Sequence, residues 1–292
     1  MQVVTPRTVN TFTTDVLEDD YPEWVSGNAY AVDDFTMRAS IHKVFKCSGA
    51  NSSTVPPEDN TDQWVDYGAT NAYKVLDEYV NTQTEQTNEI TMTLDWDKSS
   101  LLALFNLDAY EVEITIADSL AVDIFNEIID LSNRDVSNWF SYFFAEFNFR
   151  QDIVKELPFI DGGTCTVVIR KTGSTAKVGL LAHGVARDLG FTLYNPNIGI
   201  IDYSKKVTDA VFGNTFLQKG AFSKRNSLSV ILDTANLDIV NKRLSDLRAT
   251  AAIYIGDDTY DSLIIYGFYR DYDITLSNPV KSFLNIEIEG LI

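Results

Sequence analysis

Two cysteines, two histidines and no long apolar segment are the main absences in this sequence of 292 residues. Cys47 and Cys165 lie far apart and form no CxxC pair, so we expect two reduced, buried thiols in a protein made in a reducing cytosol. His42 and His183 show neither HExxH nor HxH spacing, which argues against a histidine-based metal site or catalytic triad. No apolar run reaches the roughly 18 residues of a membrane span, and the first residues do not resemble a signal peptide. We therefore expect neither an export signal nor membrane insertion.

Positive charge is also scarce, because 23 Lys and Arg face 42 Asp and Glu and leave a net charge of −19. Affinity for nucleic acid comes mainly from cationic side chains on phosphates, so this balance argues against a nucleic-acid partner. Hydrophobic residues make up 45% of the chain and charged residues 22%, which is ordinary for a folded protein. We expect little disorder.

The carboxylates are so numerous that adjacent pairs are no evidence of catalysis. Asp257 and Asp258 follow Gly256 and read as a turn, and Asp271 and Asp273 read as solvated charges on one face of a strand. Glycine-rich stretches lack the lysine of a phosphate loop and the glycine spacing of a dinucleotide fold. We predict a protein that is not an enzyme and uses no cofactor or metal.

Residues 227–273 carry the clearest pattern in the chain. Leu237, Val240, Leu244 and Leu247 recur at helical spacing and predict an amphipathic helix over residues 236–248. Asp233 or Thr234 is expected to accept the free N–H groups of its first turn. Alternating apolar residues before and after the helix predict antiparallel strands, with Gly256 in a turn between two of them.

Period-two patterns recur through the middle of the chain. Strands are predicted where Ile90, Met92 and Leu94 alternate with polar residues, and again where Val112, Ile114 and Ile116 do so. The stretch 121–149 is ambiguous, because Phe125, Ile128 and Ile129 suit a helix, whereas the aromatic residues from Trp139 onward suit a strand buried on both faces.

Residues 21–77 are dense in aromatic and turn-forming residues, which predicts a small module of short strands. Sugar rings stack on flat aromatic faces, so Trp24, Tyr30, Phe45 and Trp64 are our candidates for glycan binding. The competing interpretation is that these four side chains form the core of a module with few aliphatic residues.

The order of motifs in this module resembles a known family. The motifs are Trp24, Tyr30-Ala31-Val32-Asp33-Asp34, Val44-Phe45-Lys46-Cys47, Pro56-Pro57 and Trp64-Val65-Asp66. This series resembles the small β-rich carbohydrate-binding modules of families 5 and 12, which are found on chitinases. The resemblance implies a compact β module and a carbohydrate ligand.

A second resemblance covers more of the chain. It rests on Trp64 to Asp77, Ile201 to Lys206, Lys219 to Arg225, Tyr254 to Asp258 and Tyr266 to Asp271. In this order the segments are similar to structural proteins of tailed bacteriophages. The resemblance implies a virion protein of the tail or baseplate, made in the host cytoplasm, which assembles into a ring or adaptor. Its implied partners are copies of itself, other tail, baseplate or fibre proteins, and a host-surface glycan.

We therefore predict a mainly β protein with a small aromatic-rich β module, followed by an antiparallel, jelly-roll-like β-sandwich region with one amphipathic helix. The predicted boundaries are an N-terminal arm over residues 1–20, extended or adding an edge strand, the module over 21–78 and the sandwich over 79–292. A division of the sandwich into two subdomains near residue 200 is left open. The predicted function is structural, and the alternative is a soluble protein that recognises cell-surface polysaccharide.

Overall fold

A computed structural model describes residues 1–133, 138–144, 148–208 and 214–291 of the chain. As the alternating sequence patterns predict, the fold is mainly β, and its strands pair in antiparallel sheets. In the first part of the chain the strands are β1 (Gln2–Pro6), β2 (Phe12–Thr14), β3 (Phe35–Arg38), β4 (Lys43–Cys47), β5 (Trp64–Ala69), β6 (Thr84–Asp95), β7 (Leu101–Phe105), β8 (Glu111–Asp118) and β9 (Asp123–Asp130).

The later strands are β10 (Ser132–Asn133), β11 (Asn148–Phe149), β12 (Ile153–Glu156), β13 (Gly163–Val178), β14 (Leu180–Asp188), β15 (Phe191–Thr192), β16 (Asn197–Asp202), β17 (Lys205–Thr208), β18 (Thr215–Gln218), β19 (Phe222–Asp233), β20 (Ala252–Ile255), β21 (Ile264–Thr275) and β22 (Lys281–Gly290). The α-helices of the described ranges are α1 (Trp139–Phe144) and α2 (Leu237–Asp246), and short 3-10 helices span Pro57–Asp59, Lys74–Leu76, Thr234–Asn236 and Asp261–Leu263.

Two antiparallel sheets pack face to face and form the body of the protein. Within the described ranges, the larger sheet has ten strands in the order β12-β7-β14-β1-β20-β21-β22-β19-β15, with β16 also paired to β19. The smaller sheet has five strands in the order β2-β6-β13-β8-β9. Buried residues of both sheets, including Ile90, Ile114 and Val167 from the small sheet and Leu104 and Leu181 from the large one, share one core. This arrangement is that of a β-sandwich.

The N-terminal segment differs from the predicted arm. Strand β1 lies inside the large sheet, between β14 and β20, and pairs with both. Val3 and Val4 point to opposite faces of that sheet and are both buried in apolar clusters. Strand β2 does add an edge strand, although to the five-stranded sheet of the same chain. The alternation of valine and threonine predicts strands here but does not show which strands they join.

Helix α2 confirms the predicted amphipathic helix, with Val240, Leu244 and Leu247 buried against the second half of the large sheet. Full burial of such side chains stabilises a fold by about 1.5–3 kcal/mol each. The predicted cap is wrong. Neither Asp233 nor Thr234 caps the helix, because the Asp233 carboxylate pairs with Lys281 and the Thr234 hydroxyl donates to a backbone carbonyl.

The ambiguous stretch 121–149 takes the opposite structure to its local pattern where it is described. Residues 123–130 form strand β9, and the aromatic run contains helix α1, whose Trp139, Phe140 and Phe143 side chains are exposed. Strand β9 pairs with the preceding strand β8 in an antiparallel hairpin, and this pairing overrides the helical spacing of its apolar residues. Residues 134–137 and 145–147 of this stretch, including Phe147 of the predicted aromatic strand, lie outside the described residues.

The predicted small module has its own three-stranded sheet, in the order β3-β4-β5. A polar contact holds it to the sandwich, because Glu18 accepts hydrogen bonds from the Thr70 hydroxyl and contacts His42 Nδ1 at 2.9 Å. The His42 ring stacks on Tyr73 with 3.5 Å between ring centroids, and Tyr73 in turn packs on Phe12 of β2. These contacts connect the module to the β-sandwich.

Two further expectations concern single residue types. Cys47 and Cys165 are free and buried, which confirms the prediction of two buried thiols. Burial raises the pKa of the Cys165 thiol to about 12 and also raises the pKa of Cys47. In the part of the chain that the structure describes, no helix has the length and apolarity that crossing a membrane requires.

Candidate functional site

The three-stranded sheet of the module separates an inner from an outer set of side chains. Phe35 of β3, Lys46 of β4 and Val65 of β5 are cross-strand neighbours, so their side chains share one face. Cys47 and Trp64 are also neighbours, and they point to the other face. Alternation along each strand thus produces an inner face and an outer face. On the outer face Met37 and Val44 are buried, Phe35 and Lys46 are half-buried, and Val65 is exposed.

The inner face holds two of the four predicted glycan-binding residues. Phe45 and Trp64 are 3% and 2% exposed and form the core of the module together with Cys47. Tyr30 packs edge-on against Trp64 with 5.0 Å between ring centroids. The Tyr30 hydroxyl accepts a hydrogen bond of 2.8 Å from the Val25 N–H. These rings fill the space that aliphatic side chains would fill in a larger domain.

Trp24, the fourth predicted residue, is half-buried against the same core. The Arg38 guanidinium lies over its ring at 5.3 Å from the centroid, and Arg38 also pairs with Glu58 at 3.0 Å. A cation on an aromatic face occupies the surface that a sugar ring would use. The structure thus brings the four predicted residues together, but around the core of the module. Their contact with sugar remains a prediction.

The outer face carries a second aromatic group. Tyr21 stacks on Phe35, with 5.0 Å between ring centroids and 19° between ring planes. Phe35 also meets the ring of Tyr67 edge-on at 4.9 Å. Tyr67 is 63% exposed, whereas Tyr21 and Phe35 are half-buried. We call Tyr21, Phe35 and Tyr67 the outer aromatic cluster.

The position of Tyr67 depends on a β-bulge. Phe45 pairs with Asp66 and Val44 pairs with Gly68, which leaves Tyr67 as the extra residue without a cross-strand partner. Bulges of this kind re-aim a side chain and are frequent beside binding sites. Gly68 has a φ of +126°, a backbone conformation that side chains rarely adopt, so glycine is required immediately after the bulge.

Charged side chains flank the outer aromatic cluster. Lys46 Nζ lies 5.6 Å from the Phe35 ring centroid and 2.7 Å from Asp33 Oδ1. The hydrogen bond to Asp33 raises the pKa of Lys46, so the ammonium group stays protonated at neutral pH. Hydrogen-bond donors and acceptors therefore lie beside an exposed ring surface.

An exposed aromatic ring beside charged side chains suits a ligand that has both C–H surface and hydroxyl groups. Aromatic faces carry partial negative charge and attract the C–H edges of a sugar ring. Carboxylates accept hydrogen bonds from hydroxyl groups, and ammonium groups donate to them. The surface is open and rimmed by charge, and such a surface contacts an extended ligand more readily than it encloses a small one.

Sequence reasoning missed this cluster although it named the module. Tyr21, Phe35 and Tyr67 belong to the predicted aromatic set, and a signal for one of them was present. Trp64 and Tyr67 are three residues apart on one strand, and regular alternation would predict opposite faces for their side chains. The stacking of Tyr21 on Phe35 had no comparable signal, because Tyr21 lies outside the three strands.

One carboxylate of each aspartate pair accepts a hydrogen bond from a neighbouring group. Asp257 Oδ1 accepts a hydrogen bond of 2.8 Å from the Thr259 N–H, a contact typical of a turn. This hydrogen bond lowers the pKa of Asp257. Asp273 accepts a hydrogen bond of 3.1 Å from the Asn285 side chain. These contacts agree with the interpretation of a turn and of a solvated strand face.

Ser99 and His183 form the closest serine and histidine contact, with 2.9 Å between Oγ and Nδ1. Both residues are buried, and His183 Nε2 has no hydrogen-bond partner among the described residues. A catalytic triad needs an acid at that nitrogen and access for substrate. Over the described ranges, no group of three or more His, Cys, Asp or Glu side chains is arranged to hold a metal ion.

Comparison with known proteins yields limited similarity. No protein-family model and no curated protein matches the chain. One similar solved structure is a fucose-binding module of Streptococcus pneumoniae, SpX-3, at 13% identity and a TM-score of 0.28 over 40% of this chain and 86% of that one.

A second is a histidine mutant of the lectin binding domain of Lectinolysin complexed with Lewis b. Its identity is 8% and its TM-score is 0.29, over 41% of this chain and 87% of that chain. TM-scores this low do not define a shared fold. The surface of the module is therefore interpreted from its own geometry.

Proposed function

We propose that the protein binds carbohydrate through the outer aromatic cluster of its small module. The observation that carries this proposal is the arrangement of Tyr21, Phe35 and Tyr67, which presents an exposed ring next to the Lys46–Asp33 ion pair. The resemblance of the module to carbohydrate-binding modules of families 5 and 12 supports the same ligand class. The role is binding, without chemistry on the sugar.

Tyr67 contributes the most accessible ring to this surface. Aromatic contacts contribute about 0.5–1.5 kcal/mol beyond the area that they bury. A loss at the upper end of that range weakens binding about tenfold. Because the Phe35 ring contacts the Tyr67 ring, replacing Phe35 should weaken binding indirectly. It should also destabilise the module.

The first experiment measures binding of the purified full chain to insoluble chitin and to a panel of bacterial cell-surface polysaccharides. Tyr67→Ala is expected to weaken binding to the best ligand about tenfold, because its exposed ring is lost. Tyr79→Ala is the matched control, since Tyr79 is 62% exposed but lies outside the module.

Two results contradict the proposal. The first is that the unmodified chain binds none of the polysaccharides. The second is that Tyr67→Ala and Tyr79→Ala bind the best ligand equally well while both remain folded.

A second candidate function is a structural role in a phage tail or baseplate. It is favoured by the antiparallel strand pairs within residues 197–208 and 214–222, whose apolar side chains are exposed at many positions. Monomeric soluble proteins rarely expose large apolar patches, and such patches commonly mark protein interfaces. The order of motifs that resembles tailed-phage proteins supports this role. Its partners would be copies of the same chain and other tail or fibre proteins, and its location would be the virion.

Light scattering on the purified chain tests this second role. Assembly into a ring or a defined oligomer is expected, and a strict monomer at about 100 µM would argue against it. The result is independent of sugar binding, so the two candidate functions are tested separately.

A further inference from the structure

Strands β16, β17 and β18 and the start of β19, over the described residues 197–208 and 214–222, extend beyond the large sheet, and we call them the hairpin arm. Its base is formed by β16 and the first residues of β19, and its distal part is the two-stranded sheet of β17 and β18. Strand β22 pairs with β19 only from Arg225 onward. The outer part of the hairpin arm therefore has no neighbouring strand among the described residues.

The side chains of the hairpin arm are apolar but uncovered. All residues of β17 and β18 are exposed. The exposed large hydrophobic residues are Ile198, Ile200, Tyr203, Val207, Phe216, Leu217 and Phe222. An isolated two-stranded hairpin is only marginally stable in water, and exposed apolar residues add no stability until they are buried. The composition of the hairpin arm suits a segment that packs against another protein surface.

Charge distinguishes the hairpin arm from the rest of the chain. Its described residues, 197–208 and 214–222, contain three Lys and one Asp, a surplus of +2 in a protein with a net charge of −19. Lys224 and Arg225 pair with Asp152 and Glu287 near the base. Over the described ranges, Lys205, Lys206 and Lys219 make no ion pair. The exposed part of the hairpin arm is thus basic and apolar.

Strand β9 combines exposed apolar side chains with negative charge. It is the last strand of the five-stranded sheet and pairs only with β8, so its outer backbone edge is open over the described ranges. Exposed hydrophobic residues line this strand and the turn before it, namely Leu120, Val122, Ile124 and Ile128. Residues 118–130 contain four Asp and Glu and no Lys or Arg, and one of these acids, Glu127, pairs with Lys155 of β12. We call this surface the acidic edge.

We propose that the hairpin arm of one copy of this chain docks on the acidic edge of a second copy. Both surfaces combine open strand backbone with exposed apolar side chains, and their charges are opposite. Edge-to-edge pairing would satisfy backbone groups, while burial of the apolar residues would supply most of the free energy. This inference deepens the structural role proposed second above and rests on it, whereas it is independent of sugar binding.

The contact joins two different surfaces, so it is heterologous. Each copy that donates its hairpin arm still has an acidic edge free for the next copy. Such head-to-tail contacts produce a closed ring when the rotation between copies closes, and a filament when it does not. A ring is the expected product, because it leaves no hairpin arm uncovered.

The first test replaces apolar residues of the hairpin arm in the full chain. Phe216→Ser with Leu217→Ser is expected to weaken self-association at least tenfold, measured by light scattering and sedimentation over a range of concentrations. Leu276→Ser with Val280→Ser is the matched control, because these residues are also exposed and hydrophobic but lie in another turn. The control should assemble like the unmodified chain.

The second test distinguishes a heterologous contact from a symmetric one. Asp123→Lys with Ile128→Lys places cations on the acidic edge and should also prevent assembly. The hairpin variant keeps an intact acidic edge, and the edge variant keeps an intact hairpin arm. Mixing the two variants should therefore yield a complex of one copy of each and nothing larger.

Each outcome has a defined meaning. An unmodified chain that stays monomeric at about 100 µM overturns both this inference and the structural role. An unmodified chain that assembles, with a hairpin variant that assembles equally well, overturns the interface while the structural role stands. Variants that fail to assemble alone and also fail to form the mixed complex overturn the heterologous contact.

Discussion

Trp64 and Tyr67 lie on the same strand of the small module and have opposite roles. Trp64 is 2% exposed in the core, whereas Tyr67 is 63% exposed in the outer aromatic cluster. Aromatic residues are abundant in this module because it has few aliphatic residues to bury. Counting them identifies the module, but only strand register separates core rings from surface rings. The predicted residues Trp24, Tyr30, Phe45 and Trp64 were chosen without that register.

Stability measurements should separate the two roles. Trp64→Ala is expected to cost about 3–5 kcal/mol of unfolding free energy for the module, because it leaves a large cavity. Tyr67→Ala should change that free energy by about 0.5 kcal/mol or less, since its side chain is mostly exposed. Urea titration followed by circular dichroism measures both variants. Equal destabilisation by the two substitutions would contradict the assignment of inner and outer faces.

His183 gives a pH-dependent test of the sandwich core. The ring is buried beside Ser99 and Trp96, and this burial lowers the pKa of His183 below its usual 6.5, although Asp95 partly opposes the shift. The unfolded chain therefore binds a proton at higher pH than the folded chain. The resulting stability is complete above about pH 6.5 and is lost as pH falls toward the lower pKa of the folded state.

His183→Gln removes this titration while keeping a polar side chain of similar length. The unmodified chain should lose more unfolding free energy than the variant between about pH 7.5 and pH 5. The carboxylates of both proteins titrate alike, so the difference between the two curves isolates the histidine. Parallel curves would show that His183 is not buried in neutral form.

At the scale of elements, period-two and period-3.6 patterns predict which segments are strands or helices. Strands β6 and β8 and helix α2 were predicted from local alternation, because one face of each is buried. Their neighbours were not predictable. Strand β13 pairs with both β6 and β8, and those pairings span long stretches of chain. Local sequence contains no record of such distant contacts.

Strand β1 is the clearest example of this limit. Its valines predict a strand, but the first residues of a chain also suit a mobile arm. In the structure β1 fills the gap between β14 and β20, so the large sheet is continuous only when residues 2–6 are in place. The segment is therefore part of the core of the sandwich.

Deletion of residues 1–8 tests the position of β1. Removing an internal strand exposes two sheet edges and the residues that Val3 and Val4 cover. We expect loss of cooperative unfolding of the sandwich, measured by calorimetry and near-ultraviolet circular dichroism. A truncated chain that unfolds cooperatively at an unchanged temperature would contradict the placement of β1 in the sheet.

At the scale of the whole molecule, binding surfaces are separated from the core that holds them. The outer aromatic cluster lies on the small module, the acidic edge lies on the five-stranded sheet, and the hairpin arm extends from the ten-stranded sheet. The junction of Glu18, His42 and Tyr73 fixes the module to the sandwich. An assembly built through the hairpin arm would therefore present several copies of the module in fixed positions.

Several copies on one assembly would strengthen attachment to a repetitive polysaccharide. A second contact becomes intramolecular once the first is made, and avidity then exceeds the affinity of a single module. This connection explains how weak individual sugar contacts and self-association serve one function. Avidity also depends on the outer aromatic cluster, because each module must bind the polysaccharide.

Hydroxyl-radical footprinting of the full chain, with and without saturating polysaccharide, tests most directly whether the outer aromatic cluster binds polysaccharide. Tyr67 and Tyr79 are 63% and 62% exposed, so both side chains should be oxidised at similar rates in the free protein. We predict that polysaccharide protects Tyr67 and leaves Tyr79 unprotected. Bound polysaccharide that leaves Tyr67 as reactive as before would contradict the outer aromatic cluster as the binding surface.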